Sequence, residues 1–292
     1  MTAIKAVACE APARLNLPLS RLFVPDILRI VRSEGIAPTI SRSTVWRILD
    51  RDALKPWRHR TWLWSRDPLF EHRAGQVLDL YTRTWQGRPL GSDEFVLSAD
   101  EKPQIQARQG THSPEIHPDA RGIRREHAYR RHGTVAYLAA WDVHRGRAIG
   151  RVEEGIGKAP FDRLVAQVMT QEPYRSARRV FWVVDNGSAH LPRKFAWRLS
   201  CTFPSAVAVH LPLHASWLNQ VEIYFSIVQR KALTPAESSG REDLAQRLLD
   251  FERHFNEQAK PFRWNFTHHD LYRILERVPN STLDEATLSQ EL

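Results

Sequence analysis

Cysteine is nearly absent from this 292-residue chain: Cys9 and Cys201 are the only two. A pair so far apart excludes a disulfide framework and a cysteine-built zinc site, and suits a reducing cytoplasm. Long apolar runs are also missing. No stretch approaches the ~18 residues of a membrane span, and no charged start with an apolar signal core opens the chain, so a soluble, unexported protein without membrane contact is expected. There is no internal repeat and no nucleophilic triad, and GIGK at 155–158 is too short for a phosphate-binding loop. His210 and His214 have metal-like spacing across Pro212, yet no further clustered histidine completes a zinc site.

What remains is a globular composition, 42% hydrophobic and 26% charged, long enough for one good-sized domain and a small one. The net charge is +9, and residues 1–66 carry +7 of it, with twelve Lys/Arg against five Asp/Glu. A basic front ahead of a nearly neutral body reads as a polyanion-binding module, or alternatively as solvated surface charge.

Val24, Ile27, Leu28, Ile30 and Val31 recur at helical spacing until Gly35. Ser41 then caps a second helix, with Val45, Ile48 and Leu49 inward and Arg42, Ser43, Thr44 and Arg47 outward. The pair fits a helix-turn-helix whose second helix enters the major groove. The connector LKPWRHRTWLW (54–64) interleaves Arg58 and Arg60 with tryptophans, a pattern suited to tracking DNA or to domain packing. A helix is expected from the Asp67-Pro68 start to about residue 86, with a boundary near 93.

Beyond it the period becomes extended. Strands are expected at 94–100, 134–142, 147–154, 180–184 and 206–211, and helices at 159–172, 188–200 and 216–231. Residues 101–133, rich in Arg, His, Pro and Gly, read as a long surface loop. This order gives an α/β fold, a mixed sheet covered on both faces. The boundaries read as 1–60 for the helix-turn-helix domain, 61–93 for a helical linker, 94–278 for the α/β domain and 279–292 for an acidic tail.

Three carboxylates stand where packing alone would not put them. Asp100 and Asp185 end strands, and Glu222 interrupts an otherwise apolar helix. A buried charged carboxylate is costly unless neutralised. Three hard oxygen donors favour Mg²⁺ or Mn²⁺ over Zn²⁺, and two such ions about 3.5–4 Å apart would serve an in-line phosphoryl displacement. Each residue also has a plainer reading: Asp185-Asn186-Gly187-Ser188 as a turn and helix cap, Asp100 as a partner of Lys102, and Glu222 as one end of a buried hydrogen bond. Asn219, three residues before Glu222, can orient the carboxylate or the strand. His190 can position a phosphate or water, or sit exposed on its helix, and His214 can line the cleft.

SADEKPQIQA (98–107), FWVVDNGSAH (181–190) and VHLPLHASWLNQVEIYF (209–225) closely resemble the three catalytic blocks of bacterial insertion-sequence transposases of the six-thirty type, in the mariner superfamily. The blocks occur in the family's order, the second and third acids are 37 residues apart as in the family, and the resemblance spans about residues 10–278. It implies a ribonuclease-H-like domain with the acidic triad Asp100, Asp185 and Glu222, supported by Asn186, His190, His214 and Asn219. It also implies Mg²⁺-dependent cleavage of transposon ends and joining to target DNA by a homodimer on double-stranded DNA, in the bacterial cytoplasm at the nucleoid. Members usually carry two helix-turn-helix units. This chain reads as starting near the second, residues 1–17 being too short for another, which suggests a shortened or frame-split copy. The rival reading is a DNA-binding remnant or repressor without cleavage.

Overall fold

Apolar residues at helical spacing give the front of the chain three helices, α1 (Thr2–Cys9), α2 (Val24–Ser33) and α3 (Arg42–Asp50). Ile4, Val7, Ala8, Leu22, Ile27, Val31, Val45 and Leu49 close one core between them. Asp26 accepts the Phe23 N–H at 3.1 Å at the start of α2, and Gly35, with φ +70°, takes the left-handed turn that ends it. The Arg32 guanidinium then donates to the Ile40 carbonyl at 2.7 Å and fixes the approach to α3. Ser41 caps α3 as expected, its Oγ accepting the Thr44 N–H at 3.2 Å.

The computed structural model describes residues 2–10, 12–15, 17, 22–50, 67–111 and 128–275, and it divides into two units, Met1–Leu63 and Trp64–Leu292. The connector with Arg58 and Arg60, and the acidic tail, lie outside the described residues. Among the described residues, no helix is long and apolar enough to cross a membrane.

The second unit opens with α4 (Phe70–Tyr81), which falls in the segment read as a linker and is built into this unit's core through Ala74, Val77, Leu78 and Leu80. The helix is shorter than expected. Arg83 and Gln86 adopt positive φ, and β1 (Thr84–Trp85) pairs with β2 (Arg88–Pro89). Trp85, at a helix-like spacing in sequence, packs instead from a strand onto Phe181, with centroids 4.9 Å apart.

β3 (Glu94–Gly110), β4 (Tyr129–Asp142), β5 (Arg147–Glu153), β6 (Arg179–Val184) and β7 (Ala206–His210) form one sheet in the order β5-β4-β3-β6-β7. β4 runs antiparallel to both β3 and β5, while β3, β6 and β7 are parallel. This is the ribonuclease-H-like topology. The long loop expected at 101–133 is corrected: β3 continues to Gly110 and β4 starts at Tyr129. Ladder bonds need no apolar residues, so the Arg- and Gln-rich composition concealed a ribbon in which Ile105 and Ala107 are buried and Arg108 is exposed.

All of Val180–Val184 is buried because helices cover both faces. Phe181 and Val183 meet α4, α7 (Val221–Val228), α8 (Arg241–Glu257) and α9 (His268–Leu275) on one side. Trp182 and Val184 meet α5 (Lys158–Met169) and α6 (Pro192–Thr202) on the other. Gly146, with φ +68°, turns β4 into β5 beneath the backbone of Lys260, which a Cβ there would strike at 2.0 Å. The continuous helix expected at 216–231 is broken into a 3-10 turn (Ser216–Leu218), α7 and a π turn (Gln229–Leu233).

Leu138 is fully buried in the layer shared with α5 and α6. Leu138→Ala should lower the unfolding free energy by about 2–5 kcal/mol in urea denaturation; a loss below ~0.5 kcal/mol would show that this layer is not close-packed.

Candidate functional site

The parallel register Val96–Phe181, Leu97–Trp182, Ser98–Val183 runs up to the end of β6, where β3, which continues to Gly110, loses this partner. Continued by two residues, it sets Asp100 level with Asp185 on adjacent strands, where open α/β sheets place their crevices. Each strand delivers one acid, because each apolar run ends there.

A hydrogen-bond chain attaches the third block to this edge. Ser98 Oγ, fully buried, accepts the Val221 N–H at 2.9 Å and donates to Asn219 Oδ1. Asn219 Nδ2 then donates to the Ala99 carbonyl at 3.2 Å and to Asp100 Oδ2 at 3.1 Å. The Tyr81 hydroxyl from α4 donates to the Leu218 carbonyl at 2.7 Å. Asn219 thus stands ahead of α7, not on one helix with Glu222, and the carboxylate it orients is that of Asp100. Glu222 lies in the first turn of α7 and is exposed, which corrects the expectation of a buried charge; a first-turn position turned away from Tyr224 and Phe225 leaves it in solvent.

Asp185, with a side chain 38% exposed, is held by two donors: the His190 ring N–H at 2.9 Å and the Gly187 N–H at 2.8 Å. His190 follows on a short 3-10 turn, fully buried against Phe161 and Phe195. An exposed helical histidine is therefore ruled out. Asn186 donates to the Leu211 carbonyl at 2.7 Å and ties the end of β6 to the chain after β7. His210 meets the His190 carbonyl at 2.8 Å. His214 sits exposed at φ +60°, and among the described residues its side chain makes no hydrogen bond.

The acids share one electrostatic field. Burial, then the charge of Asp185, with smaller contributions from Glu101 and Glu222, pushes the Asp100 carboxyl up to about 7. Asp185 lies below its usual range, chiefly through the His190 hydrogen bond. Glu101 is raised by burial. Sequence reasoning missed Glu101 because it fell at the start of the supposed loop; its Oε1 stands 3.8 Å from His190 Nε2. Both of these buried atoms lack a hydrogen-bond partner. Ser98 and Tyr81 were missed as well, for their roles come from contacts across more than a hundred residues.

Crowded carboxylates and an orphaned carboxylate oxygen fit a hard divalent cation, which would neutralise them. Among the described residues, no three His, Cys, Asp or Glu side chains form a ready-made metal cage.

The family profile for the DDE superfamily endonuclease matches residues 96–245. No curated protein sequence gives a significant match. Among solved structures, the chain is similar to the catalytic domain of Mos1 mariner transposase, with 14% identity over 69% of this chain and 90% of that one and a TM-score of 0.46. A Mos1 mariner paired end complex with Mn gives 13% identity over 83% and 75%, with a TM-score of 0.45. The catalytic core domain of BIV integrase gives 11% over 64% and 97%, with a TM-score of 0.34.

Because its folded pKa lies above the unfolded value, Asp100 contributes stability that is complete below about pH 3.8 and lost as pH rises through about 7. In chelator-containing buffer, Asp100→Asn should therefore exceed the parent in stability at about pH 8 by roughly 2–4 kcal/mol, the gap closing toward pH 4. Unfolding free energies that track each other across this range would refute the assignment.

Proposed function

Since this chain belongs to the DDE superfamily endonuclease family, we propose that it is a DNA transposase of the insertion-sequence six-thirty type, cutting transposon ends and joining them to target DNA. The observation that carries this reading is geometric: Asp100 and Asp185 stand level on adjacent parallel strands, and Asn219, just ahead of the helix that bears Glu222, hydrogen-bonds the Asp100 carboxylate at 3.1 Å. Water attacks phosphorus at the transposon end and the P–O3′ bond breaks; the freed 3′-hydroxyl then loses its proton and attacks a target phosphodiester, whose own P–O3′ bond breaks and leaves a 3′-hydroxyl on the target strand.

In this reading Asp100, Asp185 and Glu222 hold two Mg²⁺ or Mn²⁺ ions. Such ions supply Lewis-acid stabilisation of the phosphoryl oxygens and make the attacking hydroxyl more acidic. The chain's own residues set the geometry. Asn219 fixes the Asp100 carboxylate, His190 and the Gly187 N–H fix that of Asp185, and Asn186 secures the strand end behind it. Exposed Glu222 is free to close on the other two, and His214 borders the cleft.

DNA recognition is assigned to α3 of the front unit, through Arg42, Ser43, Thr44 and Arg47. Trp46, 53% exposed on the same helix, belongs with them. Arg58 and Arg60 of the connector, which lie outside the described residues, are assigned to DNA binding on their charge and their tryptophan neighbours in sequence alone. A homodimer on double-stranded DNA, working at the bacterial nucleoid, completes the proposal, since two transposon ends must be held together.

The test is cleavage, with Mg²⁺, of a linear duplex carrying the inverted repeat that flanks the reading frame. Asp185→Ala should lose on the order of 10³-fold in rate, equivalent to several kcal/mol of transition-state stabilisation. Equal cleavage by the variant would end the proposal. Arg47→Ala should weaken binding of that repeat by about tenfold, the share of a bidentate base contact, with little loss on mixed-sequence duplex. Equal loss on both duplexes would instead reduce Arg47 to a phosphate contact.

A further inference from the structure

Residues 105–110 of β3 and 129–135 of β4 pair only with each other, since β6 meets β3 at 94–98 and β5 meets β4 at 136–142. They form a two-stranded ribbon. Its lower side is anchored: Ile105, Ala107 and Val135 are buried in the core. Its edge is fixed by the Ser238 N–H donating to the Arg108 carbonyl at 2.7 Å and by the Gly110 N–H donating to Glu237 at 3.2 Å.

On the ribbon's open side, Arg108 lies directly across from Arg131, and Tyr129 is the next residue on that side. The Arg108 guanidinium stands 4.7 Å from the Tyr129 ring centroid and that of Arg131 5.7 Å. The Tyr129 hydroxyl accepts from Arg131 at 3.4 Å, and the two guanidiniums hold it below the usual phenol range. Arg130 is exposed beside them. Like charges directly opposite one another destabilise a strand pair. Ion pairs do not relieve these: among the described residues, none includes Arg108, Arg130 or Arg131. A rigid support, unneutralised guanidiniums and an exposed ring between them describe a surface whose counter-charge comes from another molecule.

We propose that the Arg108–Tyr129–Arg131 face is a second DNA-contacting surface, which holds the phosphodiester backbone of a duplex whose scissile phosphate lies at the acids. Guanidinium forks match phosphate oxygens, and an exposed aromatic ring offers a platform for sugar or base. The contact is independent of sequence, because it reads charge and spacing alone. Distance also fits. Arg108 follows Asp100 by eight residues on one strand, at most ~27 Å of extended chain, about eight base-pair steps of duplex. The inference rests on the DNA-acting reading above.

The experiment measures anisotropy of a labelled mixed-sequence duplex of about 40 base pairs, with the full chain, at several KCl concentrations and without divalent ions. Removing two phosphate contacts with R108Q/R131Q should reduce the slope of log affinity against log salt by about 2, and the melting temperature should not fall, since a repulsive pair has gone. The control R88Q/R178Q removes two exposed charges elsewhere on the same unit and should keep the parent slope. A parental slope and affinity in R108Q/R131Q would overturn the ribbon proposal alone, as would an equal loss in the control. A parent chain that binds no duplex at any salt would overturn the transposase reading together with it.

Discussion

A single buried hydroxyl, that of Ser98, joins the strand that carries Asp100 to the first turn of α7, 123 residues further along the chain. It satisfies one of the N–H groups that every helix leaves unpaired at its start. In donating to Asn219 Oδ1 it also fixes which way that amide faces, so the amide nitrogen can only turn to Ala99 and Asp100. A buried group that loses its partner costs about 1–3 kcal/mol, so each member of the chain holds the next in place. The Tyr81 hydroxyl adds a tether from α4 to the same turn. The position of the acidic edge therefore depends on three side chains that carry no charge, those of Ser98, Asn219 and Tyr81.

Against this neutral framework the carboxylates are unequally treated. Asp185 receives a ring N–H and a backbone N–H, and is stabilised as the anion. Asp100 receives the Asn219 amide and the Glu101 N–H but loses more through burial and through its acidic neighbours. Two acids on adjacent strands thus sit on opposite sides of the ordinary carboxylate range. The fold spends stability on keeping them close, as expected where local structure serves chemistry and not packing.

Much of this was legible in the sequence. The unbroken apolar run Val180–Val184 marked a strand buried on both faces, and Asp185 followed from where that run stops; Asp100, expected at a strand end, lies within β3. The Ser41 cap and the alternating faces of α3 were equally plain. What escaped has physical causes. A ladder paired through its backbone carries no apolar signature when its outer side is polar, so the far half of β3 looked like a loop. Helical spacing at Trp85 and Glu222 records only periodicity, and a broken or shortened helix keeps the period while changing which side faces water. His190, Glu101 and Ser98 acquire their surroundings from residues far away in sequence, and no local pattern announces that.

Among the described residues, the front bundle closes its apolar interior with side chains drawn from positions 4 to 49. Each apolar core among the described residues thus draws on one unit alone, so a cavity cut inside the bundle is a loss confined to the bundle's own side chains.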